Sequence, residues 1–235
     1  MIIKSIKLEN FRNYESLELS FEKGTNILYG DNAQGKTNVL EAVYLSATTK
    51  SHKGSKYKEM IRFGQEEAHI RTNLDKEIAV NGQHLKKAAQ LLGLLNVVFF
   101  SPEDLSIIKN GPSERRRFVD MELCQIDKYY LYNLNQDNKI VNQRNKLLKD
   151  FYPNTDISET LHVWDMQLVT YGKQIIERRK EFVDQLNEII YGIHKNLSGD
   201  REELVIVYEP DTEAENLENA LRISREKDIK YKMTS

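Results

Sequence analysis

The chain has 235 residues, with 34 Lys and Arg against 36 Asp and Glu, so its formal charge of −2 announces no polyanionic partner globally and leaves only local basic patches to serve one. Charged residues make up 30% and the hydrophobic set 40%, and 12 Tyr with 4 Pro argue against a disordered chain. Cys124 is the single cysteine, which excludes an internal disulfide framework and a cysteine-cluster metal site. The opening "MIIKSIK" has no secretory core, and the longest apolar run, Leu91 to Phe100, is far short of the roughly 20 residues a membrane span needs. The expected location is cytoplasmic, with no membrane partner.

Ile6 and Leu8 alternate with Lys7, and Leu17, Leu19 and Phe21 alternate with Glu18 and Ser20, which predicts two strands around a turn at "NFRNYE". "TNILYG", residues 25–30, reads as a short buried strand. From Lys36 to Ala47 the apolar positions Val39, Leu40, Val43 and Tyr44 fall on one helical face. A hairpin or small sheet is expected around "HIRTNL" and "EIAVNG". "NVVFF", residues 96–100, reads as a strand covered on both faces, followed by Ser101 as a cap and Pro102 in the first helical position.

From Asp127 the pattern becomes helical. Leu131, Leu134, Val141 and Leu148 precede a break at "DFYPNTDISE". A stripe of Trp164, Leu168, Tyr171, Ile175, Phe182, Leu186, Ile189, Ile193 and Leu197 then follows. This predicts two long helices in an antiparallel arm, with the stripe as core packing, and "LVIVYEP" at 204–210 as a strand returning to a sheet. The expected organisation is a head over 1–126, a helical arm over 127–200 inserted into it, and an incomplete return to the head over 201–235.

Chemistry concentrates between the predicted strand and helix. Gly30, Asp31, Asn32, Ala33, Gln34, Gly35, Lys36 and Thr37 match G-x-x-x-x-G-K-[ST], the phosphate-binding loop, in the strand–loop–helix setting that the motif requires. Glycines permit backbone angles that a Cβ forbids, so that N–H groups can converge on phosphate oxygens. Lys36 would bring a mobile charge to the β and γ phosphates, and the Thr37 hydroxyl would ligate Mg²⁺. The nearby basic clusters Arg115–Arg116–Arg117 and Arg178–Arg179–Lys180, with Lys139, Arg144, Lys146 and Lys149, are candidate DNA contacts, although such clusters are more often solvated faces.

The loop together with "LENFRNYESLEL" at 8–19 resembles the N-terminal half of ABC-type ATPases of the SMC group. In that group a basic residue at the position of Arg12 reaches the nucleotide phosphates. "SHK" at 51–53, "SPEDL" at 101–105 and "GPSERRRF" at 111–118 extend this to a resemblance to the RecF family over essentially the whole chain. It implies an α/β P-loop ABC/SMC-like ATPase head with an inserted antiparallel helical arm, and ATP and Mg²⁺ as cofactors. It also implies an ATP-dependent homodimer that binds junctions of double-stranded and single-stranded DNA and acts with RecO and RecR to load RecA in replication, gap repair and SOS induction. A less favoured alternative is the ATPase head of an overcoming-lysogenization-defect-type nuclease. The family's signature segment and Walker B carboxylates are expected beyond residue 235. No catalytic residue is therefore named, and this stretch alone is expected to bind nucleotide weakly and to lack useful ATPase activity. His52 and Asp120 are expected to be structural, and Glu103 is expected to cap a helix.

Overall fold

The computed structural model describes residues 2–53, 56–74, 93, 95–151 and 156–235. It divides into two units, residues 1–121 and 122–235.

In the first unit, β1 (Ile3–Phe11) pairs antiparallel with β2 (Tyr14–Ser20) on one side and with β3 (His69–Leu74) on the other. Leu8 faces Leu17 and Ile70, and Ile6 faces Leu19 and Thr72, so the period-2 pattern lands its apolar set on one face. The turn is tighter than "NFRNYE": Phe11 pairs with Tyr14, leaving Arg12 and Asn13 as the loop, with Arg12 at φ 54°. The strand "HIRTNL" pairs with β1, while its expected partner "EIAVNG" lies outside the described residues. Helix α1 (Lys36–Thr48) covers this face. Ala42 joins Ile6, Leu8, Phe11 and Met60 in a core, and the Ser46 and Thr72 hydroxyls meet at 3.0 Å. Met60 comes from the single-turn α2 (Tyr57–Met60).

Two expected strands differ. Residues 25–30 and 96–100 carry no strand pairing among the described residues, and Ile27, Tyr29, Val98 and Phe100 are largely exposed. Their composition favours strands, but a strand forms only against a neighbour that supplies its hydrogen bonds. After residue 100, Pro102–Leu105 is a 3-10 turn leading into α3 (Ser106–Lys109), then α4 (Pro112–Ile126). The Asp104 carboxylate, rather than Ser101, caps this turn by accepting the Ser101 N–H at 2.5 Å. The Glu103 side chain lies outside the described set.

The second unit is built on α5 (Lys128–Asp150) and α6 (Ser158–Ser198). Tyr130 bonds Arg179, Arg144 bonds Asp165, and Leu148 packs with Leu161, so partner numbers fall as others rise and the helices run antiparallel. Asp127 caps α5 by accepting the N–H groups of Tyr129 and Tyr130 at 2.9 and 3.0 Å, and it also accepts Arg178 Nε at 2.9 Å. Burial alone would raise its carboxyl, but these bonds and the Arg178 charge hold it below the ordinary range.

The apolar stripe divides. Leu168 and Ile175 are buried and Trp164 packs against the Ile140–Leu221 cluster, whereas Ile189, Ile193 and Leu197 are exposed. With 41 residues against 23, α6 is roughly 60 Å long and α5 roughly 35 Å, so the end of α6 has no α5 beside it. The segment expected to return to a sheet lies along this end. Asn187 accepts the Ile206 N–H and donates to its carbonyl, both at 2.8 Å, standing in for a neighbouring strand at one residue. Beyond it, α7 (Leu217–Tyr231) packs on α6 through Leu217 and Leu221, so residues 217–231 belong with the arm and not with the head as the sequence led us to expect. None of the described helices is long and apolar enough to cross a membrane.

Candidate phosphate-binding site

The glycine loop takes the shape its residue types require. Gly30 has φ 140°, Ala33 φ 65° and Gly35 φ 94°. At Gly35 a Cβ would stand 2.6 Å from the Tyr14 hydroxyl and 2.7 Å from Asn13 Oδ1, so both backbone angle and space demand glycine. Gly35 is also the N-cap of α1, and no side chain caps that end, leaving its positive pole facing the loop. Lys36 folds back across the loop, donating from Nζ to the carbonyls of Gly30 at 2.7 Å and Asp31 at 2.6 Å. An ammonium already directed into the loop, beside an uncapped helix start, fits a polyphosphate. Thr37 is exposed at the same end, its hydroxyl being the one loop side chain suited to a hard cation, and with Lys36 it borders a cavity of about 840 Å³ walled by Ile27, Leu28, Val39 and Val43.

The β1–β2 loop forms the adjoining wall. Tyr14 donates its hydroxyl to the Gln34 carbonyl at 3.1 Å, and Asn38 Nδ2 donates to Asn13 Oδ1 at 2.8 Å. Burial pushes the Tyr14 phenol up. Arg12, expected to reach phosphate, is instead bound to Glu41, its Nε donating to Oε2 at 2.9 Å and its Nη2 to Oε1 at 2.6 Å. Its Nη1 donates to the Glu59 carbonyl at 2.8 Å. The bidentate geometry is the strong form of this pair, and the turn conformation at residue 12 aims the side chain into it.

Glu41 is fully buried on the inward face of α1. Besides Arg12 it accepts Ser51 Oγ at 2.6 Å and lies 3.7 Å from Lys53 Nζ. Burial would raise its carboxyl; the hydrogen bonds from Arg12 and Ser51, with the charges of Arg12 and Lys53, outweigh that and hold it below the ordinary range. The "SHK" segment thus belongs to the site's frame. His52 stacks on Phe99 at 4.3 Å and meets Tyr44 edge-on at 5.9 Å, a structural placement as expected.

Sequence reasoning missed Asn13, Tyr14, Glu41 and Ser51. A carboxylate amid the apolar positions of an amphipathic helix was the available signal for Glu41. The basic clusters come out unevenly. Arg115 donates to the Ile107 and Asn110 carbonyls, closing the end of α3; Arg116 is exposed; Arg117 lies 3.9 Å from Glu114. Arg178 and Arg179 are engaged with Asp127 and Tyr130, and Arg144 is fully buried between Asp165 and Asp228, so none of these three forms an open basic face.

A family model for the AAA ATPase domain matches residues 1–232. The DNA replication and repair protein RecF of Agathobacter rectalis is 57% identical, the match covering 100% of this chain and 70% of that protein. The RecF of Lachnospira eligens is 53% identical with the same coverage, and that of Bacillus cereus strain G9842 is 42% identical over 98% of this chain and 65% of its own length. Among solved structures, the recombination mediator protein RecF with ATP, in the RecFOR pathway, superposes with a TM-score of 0.85 at 32% identity, covering 99% of this chain and 69% of that one. The fold is accordingly that of a P-loop ATPase of the ABC/SMC-like type with a helical arm.

Proposed function

Because this chain belongs to the RecF family of DNA replication and repair proteins, we propose that it binds ATP at residues 30–37 and uses that binding to control a DNA-binding recombination mediator. In this reading the backbone of Gly30 to Gly35, the α1 N-terminus and Lys36 hold the triphosphate, and Thr37 ligates Mg²⁺. The metal screens phosphate charge; the chain's own part is to orient the triphosphate with fixed N–H groups and a lysine freed from two carbonyls. Two such heads close on ATP as a homodimer, engage junctions of double-stranded and single-stranded DNA, and act with RecO and RecR to load RecA at gaps. Arg116 and Arg117 are the members of their cluster placed to meet DNA, while Arg115 serves α3. Arg12 acts from its place on Glu41.

The observation that supports this most directly is the posture of Lys36, held across a loop whose Gly35 position admits no side chain. The RecF relatives and the ATP-bound RecF structure match over nearly the whole chain, which favours this reading over the nuclease-coupled head. Its test is binding to gapped duplex DNA with and without ATP. ATP should tighten binding in the wild type and leave Lys36→Ala unchanged, and the affinity should fall steeply with salt. Equal response to ATP in both proteins would refute nucleotide control.

A further inference from the structure

Two cations converge on the single buried carboxylate of Glu41, and they are held very differently. Arg12 makes three short hydrogen bonds, at 2.6, 2.8 and 2.9 Å, and its side chain is 18% exposed. Lys53 stands 3.3 Å from Asn38 Oδ1 and 3.7 Å from Glu41 Oε2, with its side chain 37% exposed. The first set fixes a planar guanidinium; the second is loose, and the longer contact is an ion pair without a good hydrogen bond. Against one carboxylate, the two side chains leave one unit of positive charge in excess.

The place of that excess matters. Asn38 follows Thr37 in the first turn of α1, and its amide bonds Asn13, which itself abuts Gly35. Lys53 therefore stands on the flank of the glycine loop. Its backbone is set for this, since its N–H donates at 3.1 Å to Ser51 Oγ, the hydroxyl that also donates to Glu41. A lysine has three donors on a flexible stem and can turn toward an incoming anion while giving up only long contacts. Arg12 would have to abandon a bidentate pair and a carbonyl.

We infer that Lys53 is a second phosphate-contacting cation of the nucleotide site, and that Glu41 and Arg12 are the positioning residues that hold it beside the loop. The inference rests on the phosphate-binding reading of residues 30–37. It assigns direct contact to the loosely held lysine and a framework role to the arginine.

The test is competition by inorganic tripolyphosphate against a fluorescent ATP analogue on the 235-residue chain, comparing wild type, Lys36→Ala, Lys53→Met and Lys53→Arg. Tripolyphosphate isolates the phosphate contacts from any contact to the base. Lys53→Met should weaken tripolyphosphate binding by about tenfold, the worth of one charge-assisted contact, with an unchanged unfolding midpoint, and Lys53→Arg should restore most of the loss. If Lys36→Ala weakens binding while Lys53→Met binds like wild type, the inference is overturned and the loop reading stands. If both lysine-to-neutral variants bind like wild type, the loop reading itself falls. A loss in Lys53→Arg as large as in Lys53→Met, with a lowered unfolding midpoint in both, would make Lys53 structural and also overturn the inference.

Discussion

Each unit of the molecule contains a buried ionic cluster, and the contrast between them separates a framework from a site. In the arm, fully buried Arg144 joins α5 to Asp165 on α6 at 2.9 Å and to Asp228 on α7 at 2.8 Å, while Arg225 takes the second Asp165 oxygen at 2.6 Å. Thr234 and Ser235 fill remaining positions on Arg144 and Asp228, so the cluster is closed by its own chain. In the head, Glu41 is equally buried, but its cations reach outward, and the cluster stands against a glycine loop. Burial of charge alone does not mark function. A cation left partly exposed beside an uncapped helix start does.

The comparison is most severely tested by removing the cation from the sealed cluster. Arg144→Met should destabilise the arm by about 3–5 kcal/mol, because Asp228 loses its buried partner cation. The readout is the urea midpoint followed through Trp164, the single tryptophan, which packs in the arm. A loss under about 1 kcal/mol would mean that the cluster is wet rather than sealed. In the head, Leu8→Ala removes a fully buried side chain from the sheet–helix core and should cost about 2–5 kcal/mol by far-ultraviolet denaturation.

Glu41→Gln keeps the shape and removes the charge, and should cost about 1–3 kcal/mol through weakened bonds from Arg12 and Ser51. It should also alter the acid limb. Because the folded Glu41 carboxyl lies below its ordinary value of 4.5, its contribution is fully present above pH 4.5 and is lost as pH falls through the lower folded value. Stability measured from pH 5 downward should therefore fall less steeply in the variant, and parallel curves would contradict the pairing. The smallest effect is expected at the arm's entrance, where Asp127→Ala removes the cap of α5 and should cost about 0.5–2 kcal/mol.

What the sequence disclosed follows from how local each signal is. The alternation of Ile6 and Leu8, the helical face after Lys36 and the two arm helices depend on neighbours within a few residues, and each formed as expected. The glycine loop was legible for the same reason. Residues 25–30, 96–100 and 204–210 have the composition of strands but depend on distant partners for hydrogen bonds, and composition does not name a partner. Glu41 was hidden similarly: its partner Arg12 lies 29 residues away, and nothing at either position announces the other. Arg144 was read among surface basic residues because its carboxylates come from two other helices, one of them 84 residues on.

The central claim is that the loop at 30–37 is a working phosphate site, and titration of a fluorescent ATP analogue with Mg²⁺ into wild type and Lys36→Ala tests it most directly. The account predicts saturable binding to the wild type, weakened by at least about tenfold in the variant, with both proteins unfolding at the same midpoint. Equal affinity in two equally folded proteins would contradict it.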